Sequence, residues 1–189
     1  MKCGKRLAQE GQFCSDCEQK EHSFIRGRSL YEYTSVAMSI YKFKYGKRRE
    51  YADYYGEQIA EYLGDFIKKV NPDALIPIPL HNSSLNKRGY NQAEELSKAI
   101  SRYTGIPTEN KLLRRIKNTV PMKLLSGAER RANLKKAFII SRNSVKLRTI
   151  IIIDDIYTTG CTMDAIAKVL KSSGVKKVYF ITIANGEDG

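Results

Sequence analysis

Asp154 and Asp155 stand side by side at the end of the run Thr149-Ile150-Ile151-Ile152-Ile153, and Ile156-Tyr157-Thr158-Thr159-Gly160-Cys161-Thr162 follows them. Two adjacent carboxylates accept hydrogen bonds from neighbouring hydroxyls and suit a hard divalent cation. Thr158, Thr159, Gly160 and Thr162 offer hydroxyls and backbone N–H groups. The pattern predicts a helix from Met163 to Leu170, so these residues fall at its N-terminus, where a phosphate dianion binds well. A bare phosphate cradle gains nothing from two acids beside it. A sugar phosphate does, because its hydroxyls donate to the carboxylates while its phosphate takes the loop. Cys161 reads as a small loop residue rather than a nucleophile, since no His lies near it in sequence to activate it.

Two further groups carry chemistry. Cys3, Cys14 and Cys17, the last two spaced C-x-x-C, look like part of a zinc knuckle, and a structural zinc wants four ligands. His22 could close a Cys₃His site. Alternatively, a cysteine just before Met1 would form a C-x-x-C ending at Cys3, which matches the commoner paired-knuckle design and makes this chain a shortened product. Three reduced cysteines in a tail are the plain alternative. The second group is Tyr41-Lys42-Phe43-Lys44-Tyr45-Gly46-Lys47-Arg48-Arg49, in which rings alternate with cations. Rings stack bases and cations neutralise a backbone, as single-stranded nucleic acid requires. A helix with its aromatics in the core and its lysines snorkelling fits the same residues.

Elements must carry these groups. The four isoleucines read as a strand buried on both faces, as in the middle of a parallel sheet, and ligands of such sheets bind beyond the carboxyl ends of the strands. Leu30 to Tyr33 reads as a short strand, with Thr34 or Ser35 capping a helix to about Tyr41. Glu50 to Val70 reads as one long amphipathic helix, ended by Asn71-Pro72-Asp73. Ala74 to Leu80 reads as a strand running into a rigid loop, His81 to Lys87 as a polar loop, and Asn91 to Tyr103 as a helix. Strands follow at Leu112–Ile116, from Phe138, and at Lys177–Ala184. Lys117 to Ser126 is irregular and suits a flap, and Ser126 with Glu129 forms a capping box. Strands alternating with helices predict an α/β fold with a mostly parallel central sheet flanked by helices. The expected organisation is residues 1–28 as cysteine knuckle and linker, and 29–189 as the α/β domain.

Composition bounds the partners. With 189 residues and 42% apolar content the chain can bury one full core. Lys and Arg number 33 against 20 Asp and Glu, a net charge of +13, which favours phosphates, nucleic acid or an anionic surface. No apolar run approaches the ~20 residues of a bilayer span and no signal-peptide core opens the chain, so no membrane insertion and a cytoplasmic location are expected.

Ile150 to Thr162 resembles the phosphoribosyl-pyrophosphate (PRPP) signature of type I phosphoribosyltransferases: apolar strand, two acids, then T-T-G-x-T. Pro77-Ile78-Pro79-Leu80-His81, Arg88-Gly89-Tyr90-Asn91-Gln92-Ala93, and Arg130 with Asn133 and Phe138 are similar to the ComF family of competence proteins, including its N-terminal cysteine knuckle. The likeness spans essentially the whole chain. It implies a type I phosphoribosyltransferase fold in which Asp154 and Asp155 take the ribose 2′ and 3′ hydroxyls and act in catalysis. Tyr157, Thr158, Thr159, Gly160, Cys161 and Thr162 would hold the 5-phosphate. Pro77, Ile78, Pro79, Leu80, His81 and Arg88 would face pyrophosphate and its Mg²⁺. It also implies structural Zn²⁺ at the cysteines, single-stranded DNA as a partner in DNA uptake, and other competence proteins such as the uptake helicase. An alternative is an active transferase that moves ribose 5-phosphate to a nucleobase or other nitrogen acceptor. Ser83 and Ser84 stand where the family often has basic residues, and Met122 where a flap Gln is common. Asn91 and Gln92 suit either a helix cap or a contact to a base.

Overall fold

The run of four isoleucines becomes the middle of a parallel sheet. The structure, a computed structural model, describes residues 3, 4, 17, 21–116, 137–141 and 146–186. In chain order the first elements are β1 (Arg26–Glu32), α1 (Tyr33–Tyr45), α2 (Tyr51–Tyr62), α3 (Gly64–Val70), β2 (Ala74–Pro77), α4 (Asn82–Arg88) and α5 (Gln92–Thr104). There follow β3 (Leu113–Arg115), β4 (Phe138–Ile140), β5 (Thr149–Tyr157), α6 (Cys161–Ser172) and β6 (Lys177–Asn185). Four strands pair in the order β1-β6-β5-β2, every neighbour parallel, while β3 and β4 form a separate antiparallel pair.

Alternation along β5 explains why the run must be buried on both sides. Ile150 and Ile152 pack with Phe24, Met163, Ile166, Leu170 and Phe180 on the α6 face. Ile151 and Ile153 pack with Tyr55, Ile59, Leu96 and Ile100 on the α2–α5 face. All four isoleucines are inaccessible to solvent. Because the sheet is parallel, the carboxyl ends of all its strands lie along one edge, and the candidate residues collect there.

Several boundaries differ from the sequence reading. The expected long helix breaks at Leu63 (φ −110, ψ 8), just before Gly64, and the separate helix α3 follows with Ile67 buried in the core. The strand expected over Ala74 to Leu80 pairs only through Pro77, because Pro77 and Pro79 lack the N–H that would extend the ladder. His81 to Lys87 is not a loop: α4 forms there, capped by the His81 side chain accepting Ser83 N–H and closed by Gly89 in the left-handed region. At α1 no side chain caps the helix, which runs straight out of β1. β1 itself begins at Arg26, whose partner is Tyr179, so the division expected after residue 28 falls inside a strand of the main sheet. The flap, Met122, the Ser126–Glu129 capping box, Arg130, Asn133 and Cys14 lie outside the described residues. Among those described, no helix is long and apolar enough to cross a membrane.

Candidate active site at the carboxyl edge of the sheet

β5 delivers Asp154 to the sheet edge, and the chain then turns through Thr158, Thr159 and Gly160 into α6. A cleft of about 340 Å³, open to solvent, is lined by Asp154, Ile156, Tyr157, Thr158, Thr159, Gly160, Cys161, Thr162 and Met163. Seven of the expected ligand residues thus border one space. Gly160 has φ +71, and a Cβ there would lie 2.6 Å from Tyr157 Oη and 3.2 Å from His22 Cε1, so only glycine fits this turn. Tyr157 borders the cleft mainly as its floor: its ring is buried and stacked on Phe180 at 4.6 Å.

The two acids are neighbours in sequence but have different surroundings. Strand alternation sends their side chains to opposite faces. Asp154 lines the cleft, and Asp155, absent from its lining, pairs with Lys44 Nζ at 3.0 Å. Asp155 N–H donates to Asp154 Oδ1 at 2.9 Å. Burial, and after it the charge of Asp155, pushes the Asp154 carboxyl up to about 7, against the opposing pull of Lys44 and Arg115. Lys44 therefore belongs to the acid pair, although its sequence neighbours assigned it to nucleic acid.

The loop after β2 runs beside this edge, since Ile78 N–H donates to Ile153 O at 3.0 Å. Pro77 and Ile78 are buried, and Pro79, Leu80 and His81 are half-buried. The Arg88-Gly89-Tyr90-Asn91-Gln92 stretch is a clasp. Asn91 caps α5, accepting Ala93 N–H at 3.2 Å, and its Nδ2 donates to Ile78 O at 3.0 Å. Tyr90 Oη donates to Phe43 O, and Gln92 Nε2 reaches the carbonyls of Phe43 and Lys44, both at 3.4 Å. Gln92 also accepts from Arg88 Nη1 at 3.0 Å. Of the two roles open to Asn91 and Gln92, these bonds are the structural one: they tie the end of α1, and with it Lys44, to the loop after β2.

Arg115, on β3, was missed by the sequence reading. It interacts electrostatically with Asp154 and with Arg88, and burial holds its guanidinium below the ordinary arginine range. The signal was present in the alternation of β3, where Leu113 and Arg115 share the inward face and Arg114 points out.

The aromatic and basic segment divides. Phe43 is fully buried, as the core reading required, whereas Tyr41 and Tyr45 are 60% and 49% exposed. Their rings lie 5.2 Å apart, and the Arg88 guanidinium sits 5.1 Å over Tyr45. Lys42, Lys47 and Arg48 are exposed, Arg48 pairing with Glu50, while Arg49 covers Tyr90 at 4.8 Å. At the other end of the chain, Cys3 is buried and Cys17 packs against the α6-side core. Among the described residues no three His, Cys, Asp or Glu side chains gather to hold a metal. His22 Nδ1 meets Asp164 Oδ2 at 2.7 Å.

Residues 87–189 match the phosphoribosyl transferase domain model. The chain is 32% identical over 183 residues to competence protein F of Haemophilus influenzae, covering 93% of this chain and 80% of that protein. It is 31% identical over 181 residues to competence protein ComFC of Bacillus subtilis, covering 85% of this chain and 67% of that protein. Similarity to the DNA utilization protein YhgH of Escherichia coli K12 is 27% over 180 residues, 93% of this chain and 79% of that one.

Proposed function

Since the chain belongs to the phosphoribosyl transferase domain family, and within it to the competence protein F relatives, we propose that it binds PRPP and serves DNA uptake by handling single strands. One observation carries the PRPP part: Asp154 and the Thr158–Thr162 turn border a single cleft at the N-terminus of α6. A carboxylate for ribose hydroxyls and N–H groups for a phosphate stand one sugar apart in function and share one opening. The loop from Pro77 to His81, with Lys44 and Arg115 acting on the acid pair and Arg88 acting on Arg115, would face the pyrophosphate end.

The chemistry follows from charge. When an acceptor nitrogen attacks C1 of the ribose, the C1–O bond breaks and pyrophosphate leaves with the electron pair. The sugar carries positive charge in the transition state and the leaving group gains negative charge. Asp154 stabilises the first and the three cations the second, with no covalent nucleophile required. The family usually binds Mg²⁺ with PRPP, and the hard carboxylate oxygens of Asp154, which line the cleft, suit that ion. It would supply charge neutralisation on the pyrophosphate oxygens.

The single-strand part rests on the exposed Tyr41 and Tyr45 with Arg88 beside them, on the +13 charge, and on the names of the relatives. A cytoplasmic location belongs to the same reading, as does structural zinc at Cys3, Cys14 and Cys17, for which about one equivalent of zinc by emission spectroscopy is the check. The deciding experiment is a thermal shift. PRPP with Mg²⁺ should raise the melting temperature of the wild type, and the Asp154→Asn, Asp155→Asn double variant should lose that rise. An equal rise in both proteins would overturn the site. A pyrophosphate-release assay over purines, pyrimidines and orotate, with and without single-stranded DNA, separates binding from turnover.

A further inference from the structure

Asp164 lies in the first turn of α6, two residues past Thr162. A carboxylate there normally profits from the helix dipole, but here the same N–H groups serve an incoming phosphate dianion, and a free carboxylate would repel it. The structure deals with this charge from outside the helix. His22 Nδ1 meets Asp164 Oδ2 at 2.7 Å, and Ser23 N–H donates to Asp164 Oδ1 at 2.7 Å, so both carboxylate oxygens are engaged by one short N-terminal stretch.

The His22 ring is held in place for this task. Its side chain is fully buried and stacks on Phe24 at 4.6 Å. Phe24 meets Phe180 edge-on at 4.9 Å, and Phe180 stacks on Tyr157 beneath the phosphate turn. His22 Cε1 is one of the three atoms nearest to where a Cβ at Gly160 would lie, at 3.2 Å. The ring therefore touches the cradle and holds its charged neighbour at once. Nδ1 is thus the ring nitrogen with a hydrogen-bond partner among the described residues.

We infer that His22 is a positioning residue for the phosphate turn: with Ser23 N–H it anchors Asp164 and draws its charge away from the anion site. This rests on the PRPP reading for the natural ligand, but not for its own test. Ribose 5-phosphate and inorganic phosphate would be titrated by calorimetry into the full chain and into H22A, D164N, H22N and the H22A/D164N double variant. H22A should weaken both ligands roughly tenfold, the effect of leaving one unscreened charge near a dianion. In the D164N background the same substitution should change affinity less than about twofold, because the charge to be held is gone. Asparagine at position 22 places an amide N–H where Nδ1 was, so H22N should recover most of the affinity. Equal losses from H22A in both backgrounds, or no loss at all, would overturn the inference. If H22A fails to fold, D164N alone decides: binding kept or tightened supports it, and binding lost sinks it. A wild type that binds phosphate in this way but ignores PRPP removes only the PRPP reading, whereas one that binds neither removes both.

Discussion

Asp154 has a cost that can be measured without any ligand. Its carboxyl is raised to about 7 by burial and by Asp155, while in the unfolded chain it titrates near 3.8. Between those values the folded state holds a proton that the unfolded state has released, so stability falls as pH rises through the window from about 4 to about 7, and is level above it. Asp154→Asn removes the penalty. The variant should be more stable than the wild type at pH 8, by on the order of 2 kcal/mol once partial exposure is allowed for, and equal to it near pH 4. Melting curves at the two pH values check this, and an advantage that is the same at both would contradict the raised carboxyl. At this scale the sequence was most legible where the site is local: Asp154 through Thr162 are consecutive, so their shared cleft follows from a strand end and a helix start. Lys44, Arg115 and His22 reach the same edge from distant stretches: the alternation of β3 marks Arg115 as facing inward, but no local pattern marks the convergence of the three.

At the scale of elements, α5 decides how well the edge is held, because Asn91 and Gln92 at its start fasten both the loop after β2 and the end of α1. α5 in turn leans on α2 through Gly56, where an added Cβ would lie 2.5 Å from Ala99 Cβ and 3.0 Å from the Ala99 carbonyl carbon. Gly56→Ala gains about 1 kcal/mol of helix propensity but must push the two helices apart. The expected net loss is about 1–3 kcal/mol in denaturant unfolding, with weaker PRPP binding as α5 shifts. A stabilised variant would show that the helices yield freely. Sequence periodicity found α5 and β5 because each buries a regular face. It missed the break at Leu63, where amphipathic spacing continues on both sides of the Gly64 junction, and it missed α4, whose seven residues bury nothing fully and form a helix through the His81 cap and Gly89.

For the whole molecule, charge and exposed rings predict how a single strand is held. Binding should fall steeply with salt, and changing Lys42, Lys47 and Arg48 together to Ala should reduce the slope of log affinity against log salt by about 2. Tyr41→Ala with Tyr45→Ala should weaken binding roughly tenfold or more while leaving that slope intact, since stacking is not ionic. Fluorescence anisotropy across a salt series reads both. A slope untouched by the triple variant would move the strand to another face of the molecule. Composition made an anionic partner legible, but only the structure separates the buried Phe43 and the engaged Lys44 from the residues that face solvent.

The order β1-β6-β5-β2 sets a timetable for making this protein. Among the described residues β1 finds its one sheet neighbour in β6, the last of the described strands, and Ser29 and Thr182, whose hydroxyls meet at 2.7 Å, are 153 residues apart. At ribosomal speeds of about 5–20 residues per second, β1 waits roughly 8–30 s for its partner to be synthesised. Through that interval the stretch before β1, with Cys3, Cys17 and His22, has no finished core to enter. Its thiols meet solvent, oxidants and metal ions before they meet the fold.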